Sequence, residues 1–372
     1  MRPPSLSLDN WQDGPGNRWS FQHVDEVVAT VEIPRGNGPV LELTEGRPLS
    51  VANLEEFLAR TFTDSLLVLH GRHVVLERYR NHMTPGTRHL LQSVSKSMCG
   101  AIVGRYVDSG QLAVDATVDS YLPELAGTGY GDATVQQVLD MTSAVHYDET
   151  YDSPDSEVQQ HERIGGWRTR RPGDPSDTYA FLASLRSRGR HGESFDYCSA
   201  NTEVLAWVLE RVASRGYAEV LATDLWSRIG AERDACISVD AAGFPMASGG
   251  MCVTTRDLAR FGRVLLDDGR GPSGEAVLPA AWVADIRAGA DRAMAAESMG
   301  PAHPQGSYRD QFWVTGDPHG CFYGVGVYGQ YVWLNPTTDV VIVKLSSLPS
   351  ADDTGHWVDH VRFFDALSDG LG

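Results

Sequence analysis

Ser93 and Lys96 form a Ser-x-x-Lys motif whose two side chains could together make a serine nucleophile. On a helix, residues three positions apart lie on one face about a turn apart, so the hydroxyl and the amine would be neighbours. A partly desolvated lysine can accept the serine's proton, whereas an arginine guanidinium stays protonated in proteins. The chain has two lysines among 31 basic residues, and one of them closes this motif.

The motif lies between a predicted β-hairpin and a predicted helix. The apolar runs 66–69 and 74–76 flank the turn His70-Gly71-Arg72, a pattern that is typical of a hairpin. From Ser93 a largely apolar run continues to Val107 and stops at Asp108-Ser109-Gly110. This pattern predicts a buried helix that ends in a glycine cap at Gly110.

The middle of the chain is predicted to be mainly helical. Thr134 to Gln137 has the form of a capping box, and apolar residues between Asn201 and Arg215 recur at helical spacing before Gly216. Between these helices, residues 147–175 are dense in Asp, Ser, Arg, Gly and Pro. We expect an irregular segment there, and a loop of that length in a compact domain is usually functional.

Strands are predicted again near the end of the chain. Residues 325–328, 331–334 and 340–345 form a β-meander pattern, followed by a helix over roughly 357–367, while residues 1–50 read as an extended leader on the surface. The order predicts an α+β fold, an antiparallel sheet flanked by helices. Residues 1–110 and 245–372 would form this discontinuous domain and residues 111–244 a mainly helical one, with the active site between them.

Composition excludes several classes of protein. The formal net charge of −18 argues against nucleic acid and anionic membranes as partners, because both would repel such a surface. No secretory signal or membrane-span pattern is evident, and the five cysteines are odd in number, scattered and without Cys-x-x-Cys. These features predict a reduced, cytoplasmic protein with no disulfide framework, zinc site or other cofactor.

Three further patterns carry little weight. Gly324-x-Gly326-x-x-Gly329 has the letters of a dinucleotide fingerprint, but a strand-like run follows it instead of the required helix. His356 and His360 have metal-ligand spacing with no evident third ligand, so a solvated helix face is expected. No Gly-x-Ser-x-Gly occurs, which argues against an α/β-hydrolase nucleophile elbow.

The combination of Ser-x-x-Lys, a tyrosine before a helix (Tyr197) and a glycine-containing late strand resembles the penicillin-recognising serine hydrolases. Within them, the chain resembles the 6-aminohexanoate-dimer hydrolases, nylon-oligomer hydrolases of the β-lactamase fold that are also known for carboxylesterase activity. The resemblance covers most of the chain from about Asn10 onward. It rests on the strings at 93–100, 121–127, 137–141, 166–171, 197–202 and 341–347.

This resemblance implies a catalytic centre. Ser93 would be the nucleophile, Lys96 would hold or take its proton, and Tyr197 would relay protons between the lysine and the leaving group. The oxyanion hole would be the backbone N–H groups of Ser93 and Val327.

The resemblance also implies substrate contacts. Tyr151 would close over the substrate and hydrogen-bond the leaving amide nitrogen, and Trp313 would line the pocket. Glu162 and Ser248 fall where the family places residues that tune activity on the nylon dimer. The partner would be a small amide or ester, and the resemblance is consistent with a homodimer.

The chain departs from the family at several of these positions. The family's aspartate for the substrate ammonium is Glu162 here, the asparagine of its efficient members is Ser248, and a histidine on the late strand is replaced by Tyr328. β-Lactamases have Tyr-x-Asn where this chain has Ser199 in the third position, and Lys-Thr-Gly where it has 327–329. The loss of that lysine argues against strong β-lactamase activity.

Plainer interpretations remain open. Ser93 could be a helix cap beside a surface lysine, Tyr197 a core tyrosine, Tyr151 an exposed loop aromatic, Glu162 a solvated charge and Trp313 a core residue. The alternatives to an amidase are a carboxylesterase of the same fold without useful amidase activity, a D-amino-acid peptidase, and a non-catalytic binding module.

Overall fold

The computed structural model of the chain describes residues 2–351 and 354–371. Its helices are α1 (Asn17–Ser20), α2 (Leu54–Arg60), α3 (Val94–Asp108), α4 (Val118–Tyr121), α5 (Val135–Leu139), α6 (Glu157–Ile164), α7 (Thr178–Ser184), α8 (Ser199–Ala213), α9 (Tyr217–Val220), α10 (Thr255–Leu266), α11 (Ala280–Ala288), α12 (Arg292–Met299) and α13 (Thr354–Asp369). Its strands are β1 (Thr30–Ile33), β2 (Thr44–Glu45), β3 (Thr63–His70), β4 (His73–Tyr79), β5 (Arg88–Leu90), β6 (Ala235–Ser238), β7 (Met251–Thr254), β8 (Ser307–Arg309), β9 (Phe312–Val314), β10 (Phe322–Gly326), β11 (Gln330–Asn335) and β12 (Val340–Ser346).

The larger sheet has eight strands in the order β2-β4-β3-β12-β11-β10-β9-β8. All neighbours are antiparallel except β2 and β4, and Leu67 of β3 lies opposite Val343 of β12. Strands from the two ends of the chain therefore form the middle of one sheet. This arrangement confirms the predicted α+β class, the hairpin of β3 and β4, and the late meander.

Both faces of this sheet are covered, which explains the unbroken apolar runs of its central strands. In β12, Val341 and Val343 face the core cluster that includes α3 and α10, whereas Val340 and Ile342 face a second cluster with α2 and α13. Successive strand residues point to opposite faces, so a strand buried on both sides must be apolar at nearly every position.

A second sheet of four strands, in the order β1-β6-β7-β5, holds β1 and β5 from the first part of the chain against β6 and β7. β6 lies within residues 111–244, the segment expected to be helical, and it pairs with β1 and β7, which lie outside that segment. The division at residues 110 and 245 stays a prediction. Among the described helices, none is long and apolar enough to cross a membrane.

The predicted helix after Ser93 is confirmed as α3, and Gly110 after it has the left-handed φ of +72° that favours glycine. The capping box at Thr134 is also confirmed, on the short helix α5. The later helix was predicted over 201–215, but α8 runs from Ser199 to Ala213, and Ser214 rather than Gly216 takes the left-handed conformation.

Two predictions of irregular structure were wrong in part. Residues 147–175 contain α6, which is capped by Ser156 and buries polar side chains along with Val158 and Ile164, so its sequence lacks an apolar stripe. The first 50 residues do not only follow the surface, because Trp11 is fully buried and donates its indole N–H to the carbonyl of Trp167 (2.7 Å). They also supply β1 to the smaller sheet.

Candidate active site

The start of α3 brings the two residues of the Ser-x-x-Lys motif together. Ser93 occupies the N-cap position and Lys96 lies one turn into the helix. The Nζ atom of Lys96 donates to Ser93 Oγ at 2.9 Å and to the carbonyl oxygen of Ser248 at 3.0 Å. Both side chains are almost completely buried, with Ser93 9% and Lys96 1% exposed. The geometry is that of a hydroxyl with a base within hydrogen-bond distance.

The surroundings of Lys96 favour its neutral form more than water does. Burial lowers the pKa of Lys96 from 10.5 to about 8, and the negative charges of Glu149 and Glu203 oppose part of that fall. About a tenth of the amine is then unprotonated at pH 7, compared with well under 1% for an ordinary lysine. Lys96 is therefore suited to accepting a proton near neutral pH.

Tyr197 reaches the same place from the segment just before α8. Its ring stacks on Trp313 (5.7 Å between centroids), and Lys96 Nζ lies 5.1 Å from the centre of the Tyr197 ring. Ser93 is near enough to Tyr197 to lower the pKa of its hydroxyl somewhat, but burial has the larger effect and raises that pKa far above the usual value. The hydroxyl consequently stays protonated at neutral pH. If it donates its proton to another group, it must take up a second proton at the same time.

The end of β10 packs directly against the beginning of α3. A Cβ atom at Gly326 would stand 2.6 Å from the carbonyl oxygen of Leu91 and 2.9 Å from the nitrogen of Ser93, so only glycine allows this approach. The sequence placed Val327 within the strand, but β10 ends at Gly326 and Val327 opens a turn in which Tyr328 has a φ of +64°. The turn places Val327 at the cavity that Ser93 lines.

Five of the predicted site residues line one cavity of about 280 Å³: Ser93, Tyr151, Tyr197, Trp313 and Val327. Lys96 lies behind Ser93 and is not part of the surface of the cavity. Aromatic and apolar side chains form most of the remaining wall. They are joined by Glu149 and by two histidines, and the further lining residues are Ser298, Val325, Gly326, Tyr328, Gly329, Tyr331, Leu348, Ala351, His356, Trp357 and His360.

Glu149 is a residue of this site that the sequence analysis missed. It accepts hydrogen bonds from the hydroxyl of Tyr151 (2.8 Å), from the backbone N–H of Ser199 (2.9 Å) and from Ser199 Oγ (2.5 Å). Burial raises the pKa of Glu149, while Lys96 and these donors lower it. No local motif marks it, because it lies in the segment expected to be irregular.

Glu162 lies outside the lining of this cavity. Its carboxylate is on α6, 5% exposed, ion-paired with Arg168 and hydrogen-bonded by Gln12 Nε2 (3.1 Å). The alternative interpretation of Glu162 as a solvated loop charge was therefore wrong, because the side chain is buried and lies on a helix. The acidic side chain is already paired with an internal cation, so a substrate ammonium would have to compete with Arg168 for it.

Ser248 contacts Lys96 through its main chain. Its carbonyl oxygen accepts from Lys96, and its N–H donates to Glu203 (2.9 Å), which also accepts from the N–H of Ala247 (2.9 Å). Glu203 is fully buried on α8, and burial raises its pKa from 4.5 to about 7. This glutamate was likewise not found from the sequence, where it reads as one polar position in an apolar helix.

The expectation of a solvated face for His356 and His360 was wrong. Both line the cavity, and His360 is fully buried, with its ring stacked on Tyr331 (4.8 Å) and edge-on to Phe57 (5.5 Å). This face of α13 packs against β11 and α2, which the helix pattern alone does not reveal. No group of three or more possible metal ligands occurs among the described residues.

Comparison with known proteins identifies the kind of molecule that carries this site. Residues 51–361 match the family model described as Beta-lactamase. A 6-aminohexanoate-dimer hydrolase of Paenarthrobacter ureafaciens is 48% identical over 357 residues, which cover 94% of this chain and 90% of that protein.

Solved structures have the same fold. A Bacillus anthracis protein provisionally assigned as a 6-aminohexanoate-dimer hydrolase superposes with a TM-score of 0.87 at 28% identity, covering 99% of this chain and 98% of that one. A family VIII carboxylesterase superposes with a TM-score of 0.62 at 14% identity, covering 86% of this chain and 99% of that one, a likeness of fold alone.

Proposed function

Because the chain belongs to the beta-lactamase family and is a hydrolase, we propose that it cleaves small linear amides and esters through an acyl-enzyme on Ser93. The observation that carries this proposal is the 2.9 Å contact between Ser93 Oγ and the buried amine of Lys96. The relative from Paenarthrobacter adds the substrate class, since its name specifies the dimer of 6-aminohexanoate, a linear amide.

In the first step of the proposed reaction, Ser93 Oγ attacks the substrate carbonyl and forms a C–O bond while its proton passes to Lys96 Nζ. The carbonyl oxygen becomes negatively charged. The N–H groups of Ser93 and Val327 would stabilise that charge, and main-chain donors suit this role because they need no side chain of a particular type.

In the second step, the bond between the carbonyl carbon and the leaving amine or alcohol breaks. Tyr197 gives its hydroxyl proton to the leaving group and receives the proton held by Lys96, so the phenol is restored. Water then forms a new C–O bond at the acyl carbon and the bond between that carbon and Ser93 Oγ breaks. The proton from water passes through the same pair to Ser93 Oγ, and the carboxylic acid is released.

A direct test measures turnover of the 6-aminohexanoate linear dimer and of p-nitrophenyl acetate side by side, for the wild-type protein and for Ser93→Ala. Cleavage of both substrates by wild type alone supports the amidase proposal. Cleavage of the ester alone reduces the proposal to a carboxylesterase, and turnover of neither substrate contradicts it.

A carboxylesterase without useful amidase activity is the second candidate, and two contacts favour it. The hydroxyl of Tyr151, which would have to support a leaving amide nitrogen, donates to Glu149, and the carboxylate of Glu162 is paired with Arg168. Esters need less assistance because an alkoxide leaves more readily than an amide nitrogen.

Replacement of Tyr151 by phenylalanine separates the two candidates. If Tyr151 hydrogen-bonds the leaving amide nitrogen, Tyr151→Phe should lower kcat/KM for the dimer about 10- to 100-fold and change ester hydrolysis by about threefold or less, in line with about 1–3 kcal/mol for such a hydrogen bond. The measurement is kcat/KM for both substrates. Equal losses on amide and ester would remove Tyr151 from leaving-group assistance.

A further inference from the structure

Glu149 is the one acidic side chain among the described residues that line the active-site cavity, and the reaction as outlined gives it no task. It is only partly exposed, and its carboxylate makes contacts in three directions. Three hydrogen bonds lead in two of these directions, to Tyr151 and to Ser199, and the third direction is an electrostatic interaction with Lys96.

The hydrogen bonds connect the loop before α6 to the start of α8. One carboxylate oxygen accepts from the hydroxyls of both Tyr151 and Ser199, and the other accepts from the backbone N–H of Ser199. Ser199 is the first residue of α8 and follows Tyr197 by two positions. A negative charge at this helix terminus is also favourable, since the free N–H groups there carry partial positive charge. Glu149 therefore fixes both tyrosines of the site relative to each other.

The third contact is electrostatic and reaches Lys96. Of the carboxylates that oppose the effect of burial on Lys96, Glu149 has the larger effect and Glu203 the smaller. The interaction is reciprocal, because Lys96 is also the principal charge that lowers the pKa of Glu149.

The other groups around Lys96 do not duplicate this contact. From α3 itself comes the hydroxyl of Ser93, from the segment before β7 the carbonyl of Ser248, and from the start of α8 the face of the Tyr197 ring. From α6, His161 faces the same region, but burial lowers the pKa of His161 to about 3, so this imidazole is neutral at the pH of assay.

The remaining carboxylate near Lys96 has a different position. Glu203 is fully buried, binds the N–H groups of Ala247 and Ser248, and does not line the cavity. Its replacement would disturb the loop whose carbonyl holds Lys96. Glu149 can be changed without that consequence, which makes its charge the one that mutation can isolate.

We propose that Glu149 is a positioning residue of the hydrolase: it holds Tyr151 and the start of α8 in place, and its negative charge favours the protonated form of Lys96 and so sets the pH range in which that amine can accept the proton of Ser93. This deepens the proposed function and rests on it. Neither the family match nor the relatives' names assign Glu149 a task. The consequence is a link between the loop that carries Tyr151 and the proton acceptor of Ser93.

The test is Glu149→Gln, which preserves the shape of the side chain and removes its charge. If Lys96 must be unprotonated to accept the serine proton, kcat/KM for p-nitrophenyl acetate rises with pH through the pKa of Lys96, about 8 in wild type. Loss of a neighbouring negative charge stabilises the neutral amine, so in Glu149→Gln this rise should move to lower pH, by about one unit. At high pH, kcat should also fall about 10-fold, because the carboxylate no longer holds Tyr151 and Ser199 together.

Ser199→Ala is the matched control, because it removes the 2.5 Å hydrogen bond to Glu149 and leaves the charge in place. We expect Ser199→Ala to have a lower kcat than wild type, while its kcat/KM rises over the same pH range as in wild type. If kcat/KM of Glu149→Gln also rises over the wild-type pH range, Glu149 has only a structural role and the proposal is overturned. Circular dichroism checks folding, and Glu149→Ala, also neutral, must show the same shift if Glu149→Gln does not fold.

A second readout separates this proposal from the proposed function. Labelling of Ser93 by a fluorophosphonate needs the same proton transfer but neither a leaving amine nor hydrolysis of the acyl group. A shift in the pH dependence of labelling in Glu149→Gln supports the role of Glu149 even if amide turnover fails. An unchanged pH dependence of labelling overturns it even if the enzyme turns over both substrates.

Discussion

Ser93→Ala is expected to abolish hydrolysis of both amides and esters, with kcat reduced by about 10⁴- to 10⁶-fold, while the fold is retained. The expected loss is this large because no other hydroxyl on α3 contacts Lys96 Nζ: Ser95 donates to the carbonyl of Gln92, and Ser97 to that of Gln311. Removing the Ser93 hydroxyl should leave the helix intact, since Ser93 Oγ forms no cap hydrogen bond and the Lys96 amine keeps the carbonyl of Ser248 as an acceptor. The measurement is kcat for the dimer and for p-nitrophenyl acetate.

Ser97→Ala provides the comparison for this result. It removes a buried hydroxyl one turn further along the same helix and should keep kcat within about threefold of wild type, with a somewhat lower melting temperature from the lost hydrogen bond. If Ser93→Ala retained turnover, Ser93 could not be the nucleophile. If both variants lost kcat equally, the loss would come from disturbance of the helix and not from the missing Ser93 hydroxyl.

Lys96→Arg should be nearly as harmful, with kcat/KM lowered by about 10²- to 10⁴-fold. The positive charge remains, but a guanidinium does not release its proton and so cannot accept the one from Ser93. The site is also too closely packed for the longer side chain, because Lys96 is 1% exposed and its Nζ already has Ser93 and Ser248 as partners.

The pH dependence of kcat/KM tests the first of these reasons, the loss of a proton acceptor. The pKa of Lys96 is lowered to about 8, so the fraction of wild-type enzyme with a neutral amine, and with it kcat/KM, should rise between about pH 7 and 9. Lys96→Arg should show no such rise, and Lys96→Met, which is neutral at every pH, should be inactive throughout. Activity of Lys96→Arg within about 10-fold of wild type would exclude Lys96 as the base.

The local parts of the fold could be predicted because their signals are short in sequence. The hairpin of β3 and β4, the helix α3 and the capping box of α5 each depend on residues within a few positions of one another, and each was confirmed. The helix α6 was missed because tertiary contacts, not an apolar stripe, bury its polar residues: Glu162 meets Arg168, and Arg163 pairs with Asp174.

In the candidate site, too, the contacts between residues close in sequence could be predicted, whereas those that depend on the fold could not. Ser93 and Lys96 are three residues apart, so the motif itself indicated their contact. Glu149 and Glu203 reach Lys96 from positions 53 and 107 residues further along the chain, and single carboxylates carry no local pattern. The pairing of Glu162 with Arg168 was equally invisible, since the sequence does not tell which neighbouring charge a carboxylate will choose.

The pairing of β3 with β12 places a constraint on the biosynthesis of the protein. β3 emerges from the ribosome early, but its partner begins at residue 340, after about nine tenths of the chain has been made. Until then the edge of β3 that will face β12 carries unpaired backbone groups and the apolar run Leu66 to Leu69, which is the kind of strand that invites association with other chains. Ser93 and Lys96 are likewise translated long before the sheet behind them can close. Until β12 has been made, the hairpin with β4 is the one pairing in this sheet that β3 can form, so the site around Ser93 takes shape only late in the synthesis of the chain.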